Sequence, residues 1–353
     1  MQSFTIKKGR LIMSRKYYLL LCMAFVAFSD VCVFGQDKDP NAAEALRHYK
    51  ESLSYLQSVS MEVDVESSGK RYDPNSGHGR PRRKANYIFR CDRGRTEWVG
   101  QSLLLDHLGN VDPVGSRRIQ IIITKKCYFY VLGAPEELPS SALMIINDYE
   151  DHQKRAIDAP ELGGPLGGRI FGNNHKSVAE LLSESTNLYL RKEQENINGV
   201  PCYVLEARTK HGKVTAWVAP EKGYSTLKWM IHKTNDDLFD DRPISLNSWL
   251  AVFDAVEVRQ ANDVFTTTGG ILTLTFDYPD GRKVSWDKYK VSGIQLNPDF
   301  EALGAFKIDL PNGTRVTVED SPGIRYVWQD GEIVPADDPT FEEIDKIVDE
   351  LKQ

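Results

Sequence analysis

Seven histidines, at positions 48, 78, 107, 152, 175, 211 and 232, are the side chains best suited to proton transfer or metal ligation near neutral pH. None stands at a spacing that a metal-binding helix or loop uses. The chain contains no HExxH, no GxSxG elbow and no cysteine in a thiol-protease setting. No catalytic residue, metal ligand or cofactor is therefore assigned. Asp236, Asp237, Asp240 and Asp241 gather carboxylates, but without the alternating ligands and central glycine of an EF-hand loop. They read as a solvated acidic hairpin loop. The glycine-rich run from Glu161 to Gly172 (ELGGPLGGRIFG) lacks the GK[ST] ending of a phosphate-binding loop and the strand-turn-helix setting of a dinucleotide fingerprint. It reads as a flap over one end of a sheet. Residues 67–83 (SSGKRYDPNSGHGRPRR) end in a basic run and read as a solvated loop rather than an anion site.

Composition sets wider bounds. With 353 residues, 41% hydrophobic and 27% charged, the chain holds one large or two modest cores. Lys7, Lys8, Arg10, Arg15 and Lys16 precede an apolar run from Tyr17 to Phe28, and Val33-Phe34-Gly35 offers small residues near a cleavage point, the pattern of a secretory signal peptide over residues 1–35. The apolar run falls short of the roughly 20 residues a membrane span needs. Loss of that segment, which carries five Lys/Arg and one Asp, moves the formal charge from −6 to −10. An acidic, exported chain lacks the concentrated basic surface that nucleic acid requires. The expected location is periplasmic or secreted, with peripheral membrane contact open to it. Cys91, Cys127 and Cys202 remain in the mature chain and permit one disulfide at most, or buried free thiols.

The elements that must position any site follow in order. Asn41 to Gln57 places Ala42, Ala45, Leu46, Tyr49, Leu53 and Leu56 at helical spacing. Val59, Met61, Val63 and Val65 then alternate with polar residues as a half-buried strand. Strands are expected at 84–91, 94–100, 117–124 and 126–132, a short helix over Leu143 to Tyr149, and a helix capped by Ser177 with Glu180 at the third position. Further strands are expected at 187–197, 246–260, 263–268, 271–278 and 282–292. The C-terminal part reads as two short strands and an amphipathic helix over Asp338 to Lys352.

Residues 197–234 are the most informative. Asn198-Gly199, His211-Gly212 and Pro220 to Gly223 are turn signals separating three strand-like runs. A two-residue turn at His211-Gly212 pairs Arg208 with Thr215, and a four-residue loop at 220–223 pairs Ala216 with Leu227. One face then carries Tyr203, Leu205, Ala207, Val214, Ala216, Val218, Leu227, Trp229 and Ile231. The other carries Val204, Glu206, Arg208, Thr215, Trp217, Thr226 and Lys228.

This order of elements, with Gly199-Val200-Pro201-Cys202-Tyr203 and Trp217-Val218-Ala219-Pro220 mid-chain, resembles the LolA/LolB-like lipoprotein-carrier superfamily over roughly Asn41 to Leu296. Ala219 stands where the family carries Asp before Pro. The resemblance implies an α+β, mainly antiparallel β fold: a curved, incomplete (half) β-barrel with an N-terminal helix and short helices over its open side. The implied organisation is a signal peptide at 1–35, a half-barrel domain at 36–296 with an insertion at 133–176, and an extension at 297–353. It also implies a non-catalytic envelope protein that binds a lipid, or the acyl chains of a lipoprotein, in an apolar cavity. On the apolar face, Tyr203, Leu205, Val218, Leu227, Trp229 and Ile231 are the candidate ligand contacts. An envelope sensor or interaction module of the same fold, with a protein partner, is the alternative, and a hydrolase is the third reading.

Overall fold

The computed structural model describes residues 40–70, 82–93, 95–106, 110–123, 127–133, 141–146, 165–168, 176–239, 241–244, 246–308, 310–318 and 324–336. The segment expected as a signal peptide, most of the loop expected at 67–83, the C-terminal helix expected at 338–352, most of the expected 133–176 insertion and Asp240 lie outside them. Helix α1 spans Ala42–Ser54, starting where the Asn41 side chain accepts the amide of Glu44 at 3.0 Å, a pairing that satisfies a donor the helix itself cannot. A single 3-10 turn, Tyr55–Gln57, leads straight into strand β1, Ser58–Lys70.

The strands that follow are β2 (Arg82–Asp92), β3 (Arg95–Leu105), β4 (Val111–Ile123), β5 (Cys127–Gly133) and β6 (Ser141–Ile146). The β6 segment is the first correction. A helix was expected from Leu143, yet the run is short and two-sided in its pairing, antiparallel to β5 and parallel to a C-terminal strand, where a short apolar run has no periodicity to separate helix from strand. Helix α2, Val178–Glu184, carries the expected capping box of Ser177 and Glu180. The expected strand at 187–197 is two short ones, β7 (Tyr189–Leu190) and β8 (Glu195–Ile197). Next come β9 (Val200–Thr209), β10 (Gly212–Ala219), β11 (Ser225–Thr234), a small hairpin of β12 (Leu238–Phe239) and β13 (Arg242–Pro243), then β14 (Ser248–Ala261), β15 (Val264–Tyr278) and β16 (Gly281–Leu296). Two strands were expected within β15; Gly269-Gly270 does not break it. β17 (Arg315–Val318), β18 (Tyr326–Gln329) and β19 (Glu332–Pro335) complete the described elements.

Strand pairing puts β7 and β8 beside β9, then runs β9–β10–β11–β14–β15–β16–β1–β2–β3–β4–β5–β6–β17–β18–β19. Every pair is antiparallel except β6–β17. This is a large open sheet with two helices, and no closed barrel forms among the described residues. The C-terminal strands continue the sheet through the β6–β17 pair.

One face of the sheet takes the helices. Ala45, Leu46 and Tyr49 of α1 and Val178, Leu181 and Leu182 of α2 are buried against Val59, Val63, Leu205, Val218, Trp229, Ile231, Trp249, Phe253, Leu272 and Tyr289. Each Val, Leu, Ile or Phe among them contributes about 1.5–3 kcal/mol by leaving water. A second cluster, Ile122, Val131, Leu310, Val316, Val318 and Trp328, joins the C-terminal strands to β4 and β5. Both Cys91 and Cys202 are free thiols, and burial pushes Cys202 up to about 11.

Polar burial concentrates at the β9–β10 turn. Lys233 is fully buried; its Nζ donates to the carbonyls of His211 at 2.7 Å and Leu238 at 2.9 Å and lies over the Trp249 and Phe239 rings. Asp237, expected in a solvated acidic loop, is buried instead: it accepts from the Thr234 amide at 2.7 Å and pairs with Arg208. The His211 ring is buried with neither nitrogen hydrogen-bonded, and burial, with Lys233 and Lys210 close by, holds its pKa below the ordinary value. The unfolded chain thus binds a proton that the folded chain resists. Its contribution to stability is full above about pH 6.5 and falls as pH drops toward the folded pKa. In urea unfolding at pH 7 and pH 5, His211→Leu is expected to flatten the acid-side loss of stability; an unchanged slope would refute the assignment.

Candidate functional site

The β9–β10–β11 meander sets which side chains meet the helices. Thr209 pairs with Gly212 and Val214 with Ala207, so the turn residues are Lys210 and His211, one position earlier than expected. Moving a turn by one residue moves the partners by two, and a shift of two leaves every side chain on its own face. Leu205, Ala207, Val214, Ala216 and Val218 accordingly lie together in the core under α1 and α2.

A β-bulge breaks the pattern once. Between β10 and β11, Trp217 pairs with Lys228 but Val218 pairs with Thr226, leaving Leu227 as the extra residue. Leu227 packs with Cys202, Val204, Trp217 and Ala219 on the opposite face, while Thr226 turns toward Tyr49 of α1. Trp217, read from sequence as lying away from the helices, does so: its Nε1 donates to Glu195 at 2.7 Å and Lys228 lies over its ring.

The sheet opens beside this bulge. Pairing of β11 with β14 stops at Trp229–Phe253, although β11 continues back to Ser225 and β14 onward to Ala261. Ala255 takes a left-handed conformation (φ 51°) where the β14–β15 register shifts, and β14 swings away. The start of β15 approaches β11 instead, bringing the Phe265 carbonyl to the Ser225 hydroxyl at 3.5 Å. The resulting slit is roofed by Tyr49, Ser52 and Leu53 of α1 and Leu56 of the turn that follows it, walled by Trp229, Phe253 and Phe265, and edged by Ser225, Thr226, Thr266 and Thr267, with Leu166 and Gly168 also lining it. Its cavity volume is about 20 Å³, within a wider space of about 380 Å³ that includes open solvent. The slit is narrow.

Its polar atoms sit deep. Burial pushes the Tyr49 phenol up to about 12; the neighbouring Thr226 hydroxyl offsets part of this, although the two do not reach full hydrogen-bond geometry. The Thr226 and Thr266 Oγ1 atoms are both buried without a hydrogen-bond partner. Above the slit, His48 of α1 stacks on Tyr224 at 4.6 Å, and Tyr224 on Tyr203 at 6.4 Å.

Of the six expected contacts, Trp229 alone lines the slit, at 1% exposure. Leu205, Val218 and Ile231 are core packing beneath the helices, Tyr203 stands in the stack at the rim, and Leu227 is on the other side of the sheet. Sequence reasoning missed the α1 side chains and the β15 threonines. A signal was present: Tyr49, Leu53 and Leu56 share one helical stripe, and Thr266 and Thr268 interrupt an otherwise apolar alternation on β15.

No family profile matches the chain, and no curated protein is similar to it. Among solved structures it shows distant likeness to a DUF1329 family protein from Desulfovibrio piger, with 12% identity, 74% of this chain and 95% of that chain covered, and a TM-score of 0.40. The Pseudomonas aeruginosa MucA/MucB complex gives 12% identity over 73% of this chain and 99% of that chain, with a TM-score of 0.21. A β-barrel-like protein of the DUF1849 domain from Brucella abortus gives 11% identity over 68% of this chain and 98% of that chain, with a TM-score of 0.24. Likeness at this distance assigns neither family nor function.

The slit is sensitive to Gly270. A Cβ built there would stand 2.4 Å from Cζ of Phe253, so the ring would have to move within the wall it forms. Gly270→Ala is expected to cost about 1–3 kcal/mol through overpacking, read as a lower urea midpoint at pH 7. A wild-type midpoint would show that the wall yields freely.

Proposed function

We propose that this chain is a non-catalytic binding module of the cell envelope that takes an apolar ligand, a single acyl chain or similarly slim amphiphile, into the slit beneath α1. The supporting observation is that the pairing of β11 and β14 ends early over an aromatic-walled gap, on a face otherwise packed shut by two helices. Core strands rarely forgo pairing, because unpaired main-chain groups cost free energy. A gap lined by Trp229, Phe253, Phe265 and Leu53 suits a hydrocarbon more than a charged substrate. The narrowness argues against a bulky multi-chain lipid unless α1 lifts. Export is supported by the basic and apolar pattern of residues 1–35 and the acidic charge of the remainder. No described helix is long and apolar enough to cross a membrane.

Native mass spectrometry and solvent extraction of protein purified from its own envelope are expected to recover a bound amphiphile. Recovery of none would remove the main support for this reading.

A protein-interaction role is favoured by a different observation. On the face away from the helices, Val252, Thr273 and Trp286 form one cross-strand row and Leu250, Thr275 and Val284 the next, all half-exposed or exposed and outside the buried clusters. A photo-crosslinker at Trp286 that captured one defined envelope protein, with no amphiphile extracted, would move the assignment to this second role.

A further inference from the structure

Resting on the proposed binding role of the slit, we infer that its ligand carries a neutral hydrogen-bonding head, an alcohol, phenol or amide, on a slim or flat apolar body. The head is argued from Thr266. By strand alternation it shares the helix-bearing face with Leu272 and Leu274, it is 2% exposed, it lines the slit, and its Oγ1 has no hydrogen-bond partner. A buried hydroxyl left unpaired is costly and uncommon in folded proteins, so its persistence beside a gap marks a place where a partner atom belongs. The Thr226 Oγ1 also lines the slit and falls short of hydrogen-bond geometry, although it neighbours the Tyr49 phenol, and the bulge that sends Leu227 the other way turns it inward. Two hydroxyls can both donate and accept, and therefore suit a group that does the same.

Neutrality follows from the walls. Among the described residues lining the slit none is ionisable except Tyr49, whose phenol burial keeps protonated. A carboxylate, phosphate or ammonium head would enter without a counter-charge, at a desolvation cost that hydroxyls do not repay. The body is argued from the walls: Trp229 and Phe253, stacked with centroids 5.6 Å apart and planes inclined by 24°, line the gap together with Phe265 and Leu53 and make it apolar. With a cavity of about 20 Å³, a single ring or alkyl chain enters only by displacing the walls, and a branched or multi-chain body would displace them further.

The competing occupant is one trapped water, for which about 20 Å³ suffices. Phenol, benzene and benzoate separate these cases when titrated into the folded chain by heteronuclear NMR, using wild type, Thr266→Val and Thr266→Ser. The expected result is phenol binding about tenfold tighter than benzene in wild type, the worth of one buried hydrogen bond, with shifts centred on the residues of the slit and no binding of benzoate. Thr266→Val should bring the phenol-to-benzene ratio close to one while leaving benzene affinity unchanged, and Thr266→Ser should restore the ratio. Equal binding of phenol and benzene in wild type would overturn the head while keeping an apolar slit. Tightest binding of benzoate would overturn its neutrality. Binding of none of the three would overturn both the inference and the binding role on which it rests.

Discussion

The packing of α1 and α2 on one face of the sheet is the interaction from which the other features take their places. The two helices bury Tyr49, Leu181 and Leu182 against strands from both halves of the chain. A sheet face covered this way must present apolar side chains without a break, because each strand exposes alternate residues to it. Where β14 turns aside after Phe253, that demand fails over a short stretch, and α1 roofs a gap rather than a filled core. The slit is thus a local conflict between the strand geometry at Ala255 and the straightness of the helix above.

Charged residues hold the opposite end of the meander. Lys233 ties the β9–β10 turn to the loop after β11, and Asp237 closes that loop on Arg208 and Thr234. On the outer face, Arg191 joins Glu195 and Glu206, and Glu195 receives Trp217. Burial of a lysine beside aromatic rings is costly unless its donors are used, which explains why Lys233 reaches backbone carbonyls rather than solvent. One end of the three-stranded unit is pinned by charge and hydrogen bonds, and the other is left to apolar contact with α1.

Much of this was legible in the residues. The helical run starting at Asn41, the Ser177 and Glu180 capping box, and the alternation of Val59 to Val65 each encode a local preference that tertiary structure did not override. The facing of Leu205, Val218, Trp229 and Ile231 was also readable, and it survived a misplaced turn because strand periodicity is two and the error was two. Leu227 and Thr226 were not readable: a bulge adds one residue, inverts the face on one side of it, and leaves no mark in composition. The fate of Leu143 to Ile146 depended on β17, far along the chain, and no local pattern carries that. The slit itself depends on a strand ending its pairing early, which is a property of two segments at once.

The junction of β1 with β16 bears on how the molecule forms. Val59 pairs with Leu296 and Lys70 with Val284, so the first described strand finds its second neighbour only when almost the whole sheet has been made. The other edge of β1 pairs with β2 across a single connection and can close early. A chain built this way is dominated by non-local contacts, which slows folding and leaves β1 with an open edge of Val59, Met61, Val63 and Val65 while the remainder assembles. That exposed edge favours a collapse delayed until Gly281–Leu296 has been made.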